Sequence, residues 1–304
     1  MPRVTIGLPV FNGAKYLEEA LDSLCRQTYG DFELIISDNA STDPTREICQ
    51  DFAAGDPRIR YFRNEHNLGA AGNYNRVFTL ARGELFKWAA HDDLCAPTLL
   101  ERCLEALEAN PEAVLAYPQT VIIDGSGHRV KRYEDNLDLT DSSPAERLRR
   151  YLFRAGEECN AVFGLMRASV LRKTRLIEPY NASDRVLLAH LVLLGKFCEV
   201  PQELFFRRDH PTTSLRANGD ARAVAAWFDP KGSRRIVLPV SRLYFESACC
   251  VLQAELRPTT RLRCLYQVAR RFWWHRQGLG KELRTIPRSL LGILPVSGPR
   301  KEGS

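Results

Sequence analysis

Two adjacent carboxylates follow a short apolar segment in Phe86-Lys87-Trp88-Ala89-Ala90-His91-Asp92-Asp93. Neighbouring carboxylates repel one another, so a site that keeps them together commonly holds a cation, and oxygen donors favour a hard ion such as Mg²⁺ or Mn²⁺. An ion of that kind clamps a diphosphate. A plainer reading makes Asp92 and Asp93 the start of the next helix, for which Asp93, Pro97 and the apolar run from Leu99 are suited.

Those carboxylates need a scaffold, and the preceding residues supply alternating elements. Val4 to Val10 reads as a buried strand that runs through Pro9-Val10-Phe11-Asn12-Gly13 into a helix with Leu17, Ala20, Leu21 and Leu24 on one face. Phe32 to Ser37 is a second strand. In the following Asp38-Asn39-Ala40-Ser41-Thr42-Asp43-Pro44, Asp43 suits an N-cap and Pro44 a first helical position. A third strand, Ile59 to Phe62, leads through Asn64-Glu65-His66-Asn67-Leu68-Gly69 into a helix reaching Ala81, and the fourth strand ends at the Asp pair. Such alternation implies βαβ units and a mainly parallel sheet. Ligands of open α/β sheets bind beyond the carboxyl ends of the strands.

The runs Val4-Thr5-Ile6-Gly7-Leu8-Pro9-Val10-Phe11-Asn12, Ser23-Leu24-Cys25-Arg26-Gln27-Thr28, Asp31-Phe32-Glu33-Leu34-Ile35-Ile36, Ser41-Thr42-Asp43, Asn67-x-Gly69 and Arg82-Gly83-Glu84 closely resemble the family 2 glycosyltransferases of GT-A fold. The match spans the first 125 residues and resumes around Phe163 to Ser214. The resemblance implies a Rossmann-like, mixed and mainly parallel sheet flanked by helices. It also implies inverting transfer of a hexosyl or deoxyhexosyl group from a nucleotide-diphosphate sugar, in polysaccharide or cell-envelope biosynthesis.

Carried over residue by residue, the resemblance places Pro9, Val10 and Asn12 in the first donor loop, where backbone groups meet the base. Asp38 matches the first of the family's paired acids after the second strand, but the second is Asn39 here. An amide oxygen still accepts the N3–H of uracil or thymine, so a UDP- or dTDP-sugar is expected. Asn67, Gly69, Asn75 and His91 complete this side of the donor site. The family's Asp-x-Asp metal motif is altered, because its first Asp falls at Ala90. Asp92 is then the leading metal ligand and Asp93 a second, and fewer carboxylates imply a weaker or more exchangeable ion.

In the second half, Asn160-Ala161-Val162-Phe163-Gly164-Leu165-Met166-Arg167 resembles the segment that passes beneath the donor sugar, where Gly164 permits close backbone approach. A glycine tolerated in a strand is the alternative. Asp184, in Asn181-Ala182-Ser183-Asp184-Arg185, falls at the family's catalytic carboxylate and is the expected general base; locally, an acid favoured at a helix N-terminus explains it as well. That helix carries Val186, Leu187, Leu188, Leu191 and Leu194. Arg207-Arg208-Asp209-His210-Pro211-Thr212-Thr213-Ser214 resembles the late His segment of GT-A enzymes. His210 completes the metal shell, bonds the diphosphate or sits in a polar loop, while Arg207 and Arg208 are candidate phosphate partners.

Composition sets bounds. The chain has 304 residues with 44% hydrophobic content, enough for one α/β core and an appendage. Nine scattered cysteines without a Cys-x-x-Cys pair indicate neither a zinc site nor a disulfide framework. Met1-Pro2-Arg3 leads straight into the first strand without room for a signal peptide, and no apolar run approaches a membrane span, so the cytoplasm is the expected location. The formal charge of +6 is concentrated late, where Arg261, Arg263, Arg270, Arg271, Arg276, Lys281, Arg284 and Arg288 interleave with Leu262, Leu265, Tyr266, Ala269, Phe272 and Trp273. This basic amphipathic helix either rests on an anionic inner membrane surface near a lipid-linked acceptor or packs on its own catalytic domain. Nucleic acid is a poorer fit and is not expected as a partner, because no recognised motif accompanies the charge.

Three parts are expected: a donor half (1–125), an acceptor half (126–216) and a C-terminal loop with basic helices (217–304). Asp124-Gly125-Ser126-Gly127 reads as a hairpin turn, Asp141-Ser142-Ser143-Pro144-Ala145-Glu146 as a capping box, Ala217 to Arg235 as a mobile loop, and Ile286 to Val296 as a second apolar stretch. The activity expected is divalent-metal-assisted glycosyl transfer to a glycan or lipid-linked acceptor. Two alternatives are a nucleotidyltransferase, disfavoured by the lack of a glycine- and arginine-rich loop after the first strand, and a catalytically inactive binding module.

Overall fold

A computed structural model describes residues 1–156, 158–211, 227–228 and 239–276. Expectations for Thr212 to Ser214, for Ala217 to Arg235 apart from Trp227 and Phe228, and for everything after Arg276 lie outside the described residues. The first half alternates as expected: β1 (Val4–Val10), α1 (Ala14–Cys25), β2 (Phe32–Asp38), α2 (Thr45–Gly55), β3 (Ile59–Arg63), α3 (Gly69–Thr79) and β4 (Leu85–Trp88). Every residue of β1, β2 and β4 is buried, which explains their unbroken apolar runs. β1 lies between β2 and β4, with Val4 level with both Phe32 and Leu85, and β2 pairs in parallel with β3. The chain thus builds outward from β1 through β2 to β3, then returns to the opposite flank for β4. That reversal opens a crevice beyond the carboxyl ends of β1 and β4.

The second half continues with β5 (Leu94–Cys95), α4 (Leu99–Ala109), β6 (Ala113–Ile123), β7 (Arg129–Tyr133), α5 (Pro144–Arg154), a 3₁₀ turn (Asn160–Phe163), β8 (Leu165–Arg167), α6 (Ala168–Leu171), α7 (Ser183–Leu194) and β9 (Lys196–Arg208). The mixed sheet has the order β3-β2-β1-β4-β8-β6-β9-β5, with β7 also on β6. β8 runs antiparallel to β4 and β6, and β9 runs parallel to β6. Two last helices, α8 (Pro239–Gln253) and α9 (Pro258–Trp274), follow. Helices α1, α2 and α4 cover one face of the sheet, while α3 and α5 to α9 cover the other. Cys264 and Val268 of α9 belong to the same core as Leu148 of α5 and Leu187 of α7.

Several boundaries differ from the sequence reading. β4 stops at Trp88, so the Asp pair sits in the loop beyond it. α4 starts at Leu99 behind Thr98, because Leu94 and Cys95 are drawn into antiparallel pairing with Phe206 and Phe205 of β9. Asp93 therefore does not open a helix. α2 begins one residue after Pro44, and Asp43 still accepts from the Thr45 N–H at 3.1 Å. Ser143 caps α5, its hydroxyl accepting from Glu146 N, but the box is not completed, because the Ser143 N–H donates to Asp141 and the Glu146 carboxylate is held by Arg149 and Arg150; the hairpin turn joins β6 to β7.

Gly164 is also used differently. A side chain there would place its Cβ 2.5 Å from the Ala116 carbonyl oxygen and 2.7 Å from Leu115 Cδ1. The close approach that the fold itself makes here is to β6 in the sheet. Gly164→Ala should destabilise the protein by about 1–3 kcal/mol through overpacking, which urea unfolding would measure.

Candidate active site

A cleft of about 640 Å³ fills the crevice between the ends of β1 and β4. Pro9, Val10 and Asn12 form its first wall. Asn12 takes a left-handed conformation, φ 49°, held by its N–H on Ser41 Oγ and by its Oδ1, which accepts from Thr42 N. Beneath this wall Asp38 is fully buried, accepting from Ser41 N, the Tyr61 hydroxyl and Arg63. It shapes the loop from below and does not line the cleft.

Asn39 does line it, within a network of amides. Its Nδ2 donates to Asn67 Oδ1 and the Gly69 carbonyl, while its Oδ1 accepts from Asn64 Nδ2 at 3.0 Å and Leu68 N at 2.8 Å. Both lone pairs of the oxygen expected to meet a base are thus engaged. Asn73 extends the network, accepting from Ser37 Oγ and Asn64 and donating to the Ser37 and Val10 carbonyls. Gly69 belongs here because its φ of 76° suits glycine, with its N–H on Asn67 Oδ1. Asn75 lies away from the cleft: its amide grips both polar groups of the Ile177 backbone, tying α3 to the segment before α7.

At the far wall the structure brings together residues distant in sequence. His210, just beyond β9, sets its Nε2 3.1 Å from Asp92 Oδ2, while the His91 ring lies against Gly13 and also lines the cleft. The neighbouring Asp93 is buried, and its Oδ1 accepts from the Arg208 backbone N–H at 2.9 Å. Burial and the Asp92 carboxylate push the Asp93 carboxyl upward in pKa, against the influence of Arg207 and Lys87. Both carboxylates border the cleft, Asp92 facing His210 and Asp93 also anchoring β9 through the Arg208 N–H. Among the described residues no cluster of three His, Cys, Asp or Glu side chains is arranged to hold an ion. An oxygen and an imidazole nitrogen at this spacing nonetheless suit Mn²⁺ or Mg²⁺, provided phosphate oxygens and water complete the shell.

Arg208 is not free for phosphate. Its side chain is 1% exposed, donating from Nε to the Asp92 carbonyl, from Nη1 to the Gly125 carbonyl and from Nη2 to Glu19. Arg207 faces the cleft instead, held by Glu158 and Asn160 Oδ1. Asp184, in the first turn of α7, also lines the cleft, and burial raises its affinity for a proton while Arg185 and Arg207 lower it. Tyr74 lies within the field of Asp92, Asp93 and Asp184, which with burial raises the pKa of its phenol.

Sequence reasoning missed Tyr74, Asn73, Glu158 and Lys87. Lys87 is fully buried, its ammonium donating to the carbonyls of Trp88 and Phe163. A lysine amid Phe86 and Trp88 was the available signal. A second hollow, about 400 Å³, borders Arg3 and Arg167 at the amino ends of β1 and β4. Those arginines are engaged by Glu108 and by the carbonyls of Ala113 and Leu107.

Residues 5–175 match the sequence profile of glycosyl transferase family 2. An uncharacterised glycosyltransferase of Rickettsia typhi is 34% identical over 147 residues, 46% of this chain and 45% of that protein. The GalNAc(5)-diNAcBac-PP-undecaprenol β-1,3-glucosyltransferase of Campylobacter jejuni is 28% identical over 193 residues, 63% of this chain and 60% of that one. The chain thus spans about half the length of these curated relatives. Staphylococcus aureus TarS in complex with UDP superposes with a TM-score of 0.66 at 16% identity, over 94% of this chain and 77% of that one. The mannosyltransferase PcManGT of Pyrobaculum calidifontis, in complex with GDP-Man and Mn²⁺, gives 0.54 at 16% identity over 96% and 79%. These likenesses establish the GT-A fold.

Behind the cleft wall, Asp135 accepts from Ala161 N at the start of the 3₁₀ turn, and burial pushes its carboxyl up to about 7. Its folded pKa thus exceeds the unfolded value of about 3.9, so it favours folding at low pH and loses that contribution as pH rises toward 7. Asp135→Asn keeps an acceptor for Ala161 and removes the titration. Its stability relative to wild type should increase between pH 4 and pH 8, as thermal unfolding across that range would show.

Proposed function

The chain belongs to glycosyl transferase family 2, and from that membership we propose that it transfers a sugar, with inversion, from a nucleotide-diphosphate donor to a hydroxyl of a glycan or lipid-linked acceptor. The observation that carries this reading is the opening of Asp184 and of the Asp92–His210 pair into one cleft, at the point where the strand order reverses. The UDP of the TarS complex and the GDP-Man of the PcManGT complex support a nucleotide-sugar donor, and the Mn²⁺ of the latter supports a divalent ion. The undecaprenol-diphosphate acceptor in the Campylobacter jejuni enzyme's name supports a lipid-linked acceptor.

Asp184 takes the proton from the acceptor hydroxyl as its oxygen bonds to the anomeric carbon and the bond to the nucleoside diphosphate breaks. A carboxylate with raised proton affinity suits that task. Arg207 neutralises the departing diphosphate, exchanging Glu158 for phosphate oxygens. Asp92 and His210 would hold Mn²⁺ or Mg²⁺, which when bound stabilises charge on the leaving phosphate. The amide network receives the nucleoside at its rim.

Asp184→Asn nearly preserves size and removes the base. Transfer should fall by roughly a hundredfold to ten-thousandfold with nucleotide-diphosphate affinity little changed. Near-normal transfer would exclude Asp184 as the base, and lost nucleotide binding would move it to the donor site. Asp92→Ala should abolish metal-dependent turnover while the unfolding transition stays cooperative.

Peripheral membrane contact extends this reading. Leu262, Tyr266 and Trp273 recur at helical spacing on the outer face of α9, 68%, 63% and 67% exposed, with Arg263 and Arg270 beside them. No helix among the described residues is long and apolar enough to cross a membrane. Aromatics flanked by arginines suit the interface of an anionic leaflet, where each basic residue contributes about 1 kcal/mol. The protein should sediment with anionic vesicles, be released by salt, and lose this binding when Arg263 and Arg270 are changed to Glu. Equal recovery with neutral vesicles would remove the electrostatic part of the proposal.

A further inference from the structure

We propose that Tyr16, clamped by Arg208, is the positioning residue for the cation site. The inference rests on the reading that Asp92 and His210 hold the ion. Tyr16 is 6% exposed, and its ring lies against the His210 imidazole, centroid to centroid 4.7 Å at 47°. The Arg208 guanidinium covers the ring at 4.6 Å, and the Lys15 ammonium lies 4.8 Å from it. Arg208 is itself immobile, because it donates to Glu19, Gly125 and Asp92.

These contacts close a circuit. Arg208 holds the Asp92 backbone through its Nε and Asp93 through its own N–H; its guanidinium packs on Tyr16; Tyr16 packs on His210; and His210 reaches the Asp92 carboxylate. An imidazole joined to its site by one side-chain torsion and a ring torsion needs a surface to fix its plane. Tyr16 provides that surface. Tyr16 and Glu19, three residues apart on α1, together grip Arg208, so the register of α1 sets the orientation of His210. α1 is also the helix that leaves the donor loop Pro9 to Gly13, so the nucleoside end and the cation end of the cleft share one rigid element.

Outer contacts of this kind typically change metal affinity by about 10- to 100-fold. The test measures Mn²⁺ binding in the presence of UDP and without acceptor, from the electron paramagnetic resonance signal of free Mn²⁺. Tyr16→Leu should weaken Mn²⁺ binding by about that factor, whereas Tyr16→Phe, which keeps the ring, should restore wild-type affinity. Glu19→Ala removes an exposed partner of Arg208, so it should fold and shift Mn²⁺ affinity in the same direction. Thermal midpoints without metal separate this effect from a loss of stability. Unchanged Mn²⁺ binding in Asp92→Ala would overturn the cation-site reading and this inference with it. Lost binding in Asp92→Ala, together with wild-type affinity in Tyr16→Leu or, where that variant does not fold, in Glu19→Ala, would overturn this inference alone.

Discussion

Lys87 and Arg208 are charged side chains withdrawn from water around the loop that carries Asp92, and a charge in that position costs several kcal/mol unless its donors are satisfied. Backbone carbonyls supply most of the partners: Trp88 and Phe163 for Lys87, Asp92 and Gly125 for Arg208. These carbonyls belong to segments that border the cleft or, for Gly125, lie behind it beside Tyr16 and His210. The bonds that make the two burials tolerable therefore also hold the β4 loop, the 3₁₀ turn and the β6–β7 turn in place. Removing either charge would loosen the β4 loop together with a second segment, the 3₁₀ turn for Lys87 or the β6–β7 turn for Arg208.

The opposite end of the cleft is built on another principle. Asp38 is neutralised by Arg63 below the surface, and the next position is an amide, so the corner beside Asn39, Asn67 and Asn73 presents dipoles without net charge. Carboxylates collect instead on the β4 and α7 walls. The site is thereby divided into a neutral region suited to a flat heterocycle and a charged region suited to phosphates and proton transfer.

The strands and helices of the first half were legible because their pattern is local: buried parallel strands are apolar throughout, and α1 repeats its apolar residues at helical spacing. Asp92, His210 and Asp184 were legible as residue types, and the fold brings all three to one cleft. What failed to show was direction. Arg208 reads as a candidate phosphate partner until β9 pairs with β5 and buries its guanidinium, and Asn75 as a donor contact until α3 turns it toward Ile177. Gly164 signalled a close approach correctly, but the approaching surface was a strand met only after folding. On α9 the apolar residues were legible but not which way they face: Cys264 and Val268 turn to the core, leaving Leu262, Tyr266 and Trp273 outside.

α7 and β9 are consecutive, joined by Gly195 alone, and β9 is paired with β6 along nearly its whole length. Asp184 stands at the beginning of this arm and His210 just past its end. In the reaction proposed for this cleft, the group that would deprotonate the nucleophile and the group that would face the leaving diphosphate are therefore two marks on one ruler. Insertions in the segments that flank this arm would leave that spacing unchanged, because loops accept added residues far more readily than a paired strand does.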